Sequence, residues 1–101
     1  MMKKVNIIYD DEFQDVDIIA IPDDIFGDVD KLGALFIQWV IESAPKDDRD
    51  YWSIKNGEYL LIIETIGLVK WLNNHYCKNG SKAYIVEQHT SYCSEYQSIE
   101  F

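Results

Sequence analysis

Four side chains in the C-terminal part of this 101-residue sequence, His75, Cys77, His89 and Cys93, could hold a soft metal or supply a nucleophile and its base. They fall as His-x-Cys followed by His-x-x-x-Cys. Structural zinc sites take imidazole and thiolate ligands spaced two to four residues apart on turns. His75 and Cys77 instead close a segment of helical periodicity, where residues two apart face different directions. Zinc is therefore not the expected use of these residues. Neither cysteine lies in a Cys-x-x-Cys pair or just ahead of a helix, the settings that lower a thiol pKa. The expected state is two free thiols, one a small buried hydrophobe and the other at the surface. Calcium chemistry fails on spacing. Asp28-x-Asp30-x-x-Gly33 supplies the first, third and sixth positions of a calcium loop, but Leu32 occupies the fifth and Trp39 the twelfth. Asp48-Arg49-Asp50 puts Ser53 where glycine is needed. Asp10-Asp11-Glu12 reads as a solvated turn. No glycine-rich phosphate loop is present, and a single arginine, Arg49, argues against nucleic-acid recognition. No catalytic residue, metal or cofactor is assigned, and the chain reads as a non-enzyme.

The elements that would position a site are mostly short. Lys3 to Tyr9 is rich in β-branched and aromatic residues and predicts a first strand. Val16 to Ile21 predicts a second, closed by Pro22, with a polar turn between them. Asp28 is a candidate N-cap for a helix ending at Pro45, with Asp30 in its first turn. Val29, Leu32, Phe36, Trp39, Val40 and Ser43 share one helical face, and Leu35, Ile37 and Ile41 widen it enough to suggest packing on more than one side. Asn56-Gly57, between Tyr51–Ile54 and Glu58–Ile63, predicts a hairpin. A single helix from Glu58 to Tyr76 is the competing reading. Ile66, Val69, Leu72 and Tyr76, widened by Leu68 and Trp71, predict a helix over Glu64 to Tyr76 that Asn79-Gly80 stops. Ala83 to Glu87 predicts another strand, and the tail from Tyr92 to Phe101 could add an edge strand. The resulting order predicts one α+β domain over residues 1–101, a small antiparallel or mixed sheet of about four to five strands packed with two main helices.

The totals sharpen this. Apolar residues make up 48% of the chain, which excludes the disordered class. No run nears the roughly 18 apolar residues of a membrane helix. Met-Met-Lys-Lys is followed by an apolar stretch that Asn6 interrupts and Asp10, Asp11 and Glu12 close, so no signal peptide is expected and the chain reads as cytoplasmic. Eighteen acids against nine bases give a net charge of -9. Thirteen of those acids but five of the bases lie within residues 1–50. Such a field repels nucleic acid and anionic lipid and speeds encounter with a basic partner. Acidity that serves solubility alone is the plainer alternative. Tyr51 and Trp52 follow the charged run Lys46-Asp47-Asp48-Arg49-Asp50. They could be aromatic anchors flanked by steering charges, or Trp52 could point into the sheet.

A compact acidic domain without a catalytic signature resembles the small immunity proteins of bacterial toxin systems, including those of contact-dependent growth inhibition. The segment Ile63-Glu64-Thr65-Ile66-Gly67-Leu68-Val69-Lys70-Trp71-Leu72-Asn73, followed by Ala83-Tyr84-Ile85-Val86-Glu87, is similar to the C-terminal half of some of them. The resemblance implies a protein that binds a cognate toxin, often a nuclease, and blocks its active site. A nuclease groove is basic because it holds phosphate, so carboxylates can occupy it. The expected contact residues are Asp10, Asp11, Glu12 and Asp15, with Asp23 and Asp24, and separately Asp47, Asp48, Asp50 and Trp52. The alternatives are a small acidic regulatory or structural protein without a toxin partner, and a zinc or thiol enzyme. The immunity reading requires that these carboxylates not be neutralised by the chain's own lysines.

Overall fold

A computed structural model describes residues 2–9, 15–22, 29–77 and 81–101. Strand β1 (Met2–Ile8) pairs antiparallel with β2 (Val16–Pro22). A 3₁₀ turn at Val29–Lys31 leads into helix α1 (Leu32–Ser43). The hairpin β3 (Trp52–Lys55) and β4 (Glu58–Leu61) follows, then helix α2 (Thr65–His75), β5 (Tyr84–Thr90) and β6 (Gln97–Glu100). The main sheet has the order β5-β2-β1-β6, with β6 running parallel to β1, and the β3–β4 ribbon forms a second sheet. The fold is α+β with a small mixed sheet.

The two central strands are buried on both faces, which their near-continuous apolar sequence requires. Val5, Ile7, Ile19 and Ile21 face the helices and join Phe36, Val40, Leu68, Trp71, Leu72 and Ile99 in the principal core. Ile8, Val16 and Ile18 form a smaller cluster with Tyr96. Asn6, fully buried among apolar residues, holds that second cover in place: its Nδ2 donates to the Cys93 carbonyl at 2.8 Å, and the Cys93 N–H donates back to Oδ1 at 3.2 Å. Both bonds satisfy a side chain that would otherwise be costly to bury.

The hairpin turn follows from its dipeptide. Asn56 and Gly57 both take positive φ, 53° and 80°, as a two-residue type I′ turn needs. The helix begins only at Thr65, so the single long helix from Glu58 is not formed. The first helix also starts later than its periodicity suggests, with α geometry from Leu32. Its proposed cap, Asp28, lies outside the described residues, as does the stop signal Asn79-Gly80. α1 ends at Ser43, two residues before Pro45, consistent with the steric restriction proline imposes on its predecessor. Its broad apolar face is only partly covered by this chain, since Leu35 and Ile41 are exposed. On α2 the buried face centres on Leu68, Trp71 and Leu72 and turns Ile66 out to solvent.

Tyr51 sits in the aromatic centre of the core, its ring 6.1 Å from Phe36 and 5.1 Å from Trp39. It is 1% exposed, and its hydroxyl has no hydrogen-bond partner among the described residues. Burial accordingly pushes the phenol pKa up. Replacing this hydroxyl by hydrogen removes an unsatisfied polar atom and leaves the ring packing intact. Tyr51→Phe should therefore leave stability unchanged or raise it by up to about 1 kcal/mol in urea denaturation. A clear loss would mean the hydroxyl is bonded in solution.

Candidate protein-binding surface and the Asp17 cleft

The acidic residues separate into two groups with different surroundings. Asp10, Asp11, Glu12, Asp23 and Asp24 lie outside the described residues, and Asp15, at the start of β2, is exposed. The second group is internally matched. Lys70, reaching from α2, places Nζ 2.7 Å from Asp48 and 3.1 Å from Asp50. Its hydrogen bond, together with the Asp50 N–H donating at 2.9 Å, holds the Asp48 carboxyl below the ordinary carboxylate range. The same two carboxylates raise the Lys70 pKa. With Lys46, Arg49 and Lys70 beside Asp47, Asp48 and Asp50, this region carries as many cations as anions. Of its acids, Asp47 alone is both exposed and without an ion-pair partner among the described residues.

Trp52 is not the exposed anchor that its neighbours suggested. It is 5% exposed, and its indole N–H donates to the Ala44 carbonyl at 3.3 Å. The Lys46 ammonium lies 3.3 Å from the ring centroid, so a cation of the chain itself covers the indole. Position along the ribbon decides this: Trp52 lies at its base against the end of α1, whereas Ile54, two residues on and on the same strand face, is exposed together with Tyr59, Leu60 and Leu61.

Three other cations contact groups that are not carboxylates. Arg49 donates to the Lys46 carbonyl at 2.9 Å, Lys82 donates to the Cys77 carbonyl at 2.9 Å, and Lys4 lies 5.9 Å from the Tyr96 ring centroid. Among the described residues both ion pairs involve Lys70. Asp15, Glu42, Asp47, Glu58, Glu64, Glu87, Glu95 and Glu100 are exposed, and none of them forms an ion pair there. These eight described carboxylates are presented to solvent.

One acid behaves differently. Asp17, 8% exposed, sits in β2 at the wall of a cleft of about 310 Å³ that Tyr9, Glu64, Thr65, Gln88 and His89 also line. Its Oδ2 accepts from the Thr65 hydroxyl, and its Oδ1 accepts from the His89 backbone N–H at 3.1 Å. Tyr9 and Thr65 hydroxyls are also bonded. Because Thr65 gives its proton to a carboxylate, Tyr9 must be the donor in that pair. Burial pushes the Tyr9 pKa up to about 12, against the lowering effect of the Thr65 bond, and the nearby Asp17 and Glu64 charges add to the rise. Tyr9 therefore remains a donor at neutral pH.

The backbone explains why Asp17 is needed here. The β2–β5 register shifts on both sides of Ile18, and His89 takes a left-handed φ of 54°. This bulge frees the His89 N–H from the ladder, and Asp17 accepts it. Thr65 is the first residue of α2, so the same carboxylate ties the bulge to a helix start, where negative charge is favourable. The Thr65 hydroxyl is 2% exposed with its proton already committed, which makes it a strut between elements.

The metal and thiol candidates are dispersed. His75 Nδ1 bonds the Trp71 carbonyl, Cys77 is buried, and both cysteines are free thiols. Among the described residues no three His, Cys, Asp or Glu side chains gather as a metal site. No protein-family model, curated protein or solved structure matches this chain. Asp17 and Thr65 carried a readable signal that the charge census passed over: an acid inside Val16–Ile21, a run otherwise wholly apolar. Their partners Tyr9 and His89 come from distant positions and had no local signature.

Proposed function

We propose that this chain is a small acidic protein-binding module of the toxin-immunity kind, which neutralises a cognate toxin by covering its basic active-site groove. A nuclease domain is the partner class whose phosphate-binding surface best complements it. One observation carries the reading: a net charge of -9, with the described carboxylates outside the Lys70 clip forming no ion pair among the described residues. The contact surface assigned here is the acidic N-terminal half, Asp10, Asp11, Glu12, Asp15, Asp23 and Asp24. Asp47 is secondary, because Asp48 and Asp50 are matched by Lys70 and Trp52 is covered. The exposed β3–β4 ribbon, with Ile54 (49% exposed) paired across from Tyr59 (48%), supplies the apolar contact that charge alone does not. Among the described residues no helix is long and apolar enough to cross a membrane, and the proposed site of action is the cytoplasm.

The test is calorimetric titration of the chain into the toxin domain encoded beside its own gene, with the toxin's nuclease activity measured in parallel. Binding should inhibit that activity and weaken by about tenfold between low and high salt. Absence of binding at low salt, or affinity indifferent to salt, would defeat the proposal.

A further inference from the structure

We propose that the pocket between the C-terminal turns of α1 and α2 is an arginine-binding site that receives a guanidinium side chain from a protein partner. The pocket, about 250 Å³, is walled by Trp39, Trp71, His75 and Tyr76, with Gln38 and Glu42 on its rim. The Trp39 and His75 rings meet at 4.9 Å and 69°, and the Trp71 and Tyr76 rings at 5.3 Å and 76°. Such a volume falls below the usual range for cofactor pockets and suits one long side chain. Aromatic walls of this kind attract cations, and the planar guanidinium stacks on them better than an ammonium does.

Three further features converge on positive charge. The last turns of both helices border the pocket, through Glu42 and Ser43 and through His75, and a cation is favoured near the C-terminal end of a helix. No lysine or arginine lines the pocket, and the one basic residue in the last turns of the two helices is His75 of α2. Glu42 is exposed at the rim and is contacted by Gln38 Nε2 at 3.4 Å, a long bond that leaves the carboxylate its charge and an open oxygen. The histidine adds an acceptor. Its Nδ1 lies 3.0 Å from the Trp71 carbonyl, and a carbonyl can only accept, so Nδ1 carries a proton and Nε2 is the acceptor of that tautomer. Flat aromatic faces, a carboxylate and a fixed acceptor together match the flat face and forked donors of guanidinium.

That the arginine comes from a protein rests on the function proposed above, which calls for a basic partner. The pocket can be tested without one. In ¹⁵N-labelled protein, the indole N–H signals of Trp39 and Trp71 should shift saturably with N-acetyl-arginine amide. N-acetyl-citrulline amide, of nearly the same shape without the charge, should bind about fivefold more weakly, and Glu42→Gln should cost arginine amide a roughly threefold loss. Equal response to citrulline amide would reduce the pocket to a non-selective apolar dent and overturn the proposal. Tighter binding of tetramethylammonium than of arginine amide would reassign it to small quaternary ammonium ligands, and no saturable shift would remove it. Since no toxin enters the measurement, a failed toxin titration and a failed pocket remain separate outcomes.

Discussion

Asp17→Ala should destabilise the protein by about 3 kcal/mol. The carboxylate accepts from the His89 N–H and from the Thr65 hydroxyl, which is bonded to Tyr9 as well. Neither can turn to water easily, since Thr65 is 2% exposed and the His89 amide sits in a bulge of a paired strand. An orphaned His89 N–H and a Thr65 hydroxyl left with Tyr9 alone, at about 1–3 kcal/mol for each lost acceptor, outweigh the slight relief of removing one charge from an overly negative chain. The left-handed His89 backbone would then lose the bond that fixes it, and β5 would loosen at its bulge. Differential scanning calorimetry should show a fall in Tm of roughly 15 °C. Asp17→Asn keeps one acceptor oxygen and should lose about half as much. If Asp17→Ala costs less than about 1 kcal/mol, the network does not hold the bulge, and water replaces the carboxylate.

Local chemistry explains which parts of this architecture are legible in the sequence. The Asn56-Gly57 turn is read directly, because few dipeptides tolerate two consecutive positive φ values and that geometry forces a tight hairpin. Both helices show their period, with ends misplaced by one to four residues where caps rather than hydrophobicity decide. The sheet order is different. β6 lies parallel to β1 across most of the chain, and nothing near Gln97–Glu100 specifies that partner. Such pairings are fixed by the whole core, here by Ile99 reaching the same cluster as Ile7. The charge reading shows the same division. Composition gives the field's sign and size, but Lys70 sits twenty residues from Asp50, so its neutralising role emerges only when α2 packs on the loop. Trp52 was open between interface and interior, and its place at the base of the ribbon, with a carbonyl acceptor at Ala44, puts it inside.

That packing has a consequence for binding. An acidic loop clamped by Lys70 is rigid and electrically quiet, whereas the exposed acids elsewhere remain available to a partner. Specificity through charge is better served by carboxylates not already paired, since a paired one must first give up its cation. The basic partner proposed here would therefore gain little from Asp48 or Asp50.

Gly67→Val should cost about 2–3 kcal/mol, although glycine is a poor helix residue. In an exposed helix, adding a side chain at a glycine gains up to about 1 kcal/mol. Gly67, however, lies in the first turns of α2 directly against the 48–51 loop: a Cβ would stand 2.7 Å from the Asp50 carbonyl oxygen and 3.4 Å from the Tyr51 ring. The carbonyl cannot retreat at low cost. Its loop is pinned by the Asp50 N–H on the Asp48 side chain, by the Tyr51 and Trp52 N–H groups on the Asp48 carbonyl, and by Lys70 one helical turn along from Gly67. Tyr51 is equally fixed, enclosed by Phe36 and Trp39. Either α2 lifts from the loop and breaks the Lys70 clip, or the core aromatics move. Gly67→Ala should show the same conflict at about 1–2 kcal/mol, because its one methyl group already meets the backbone oxygen. Urea denaturation of the two variants should give losses in that order. A stabilised alanine variant would mean that helix and loop separate readily, and that Asp48 and Asp50 can be released from Lys70 to meet another cation.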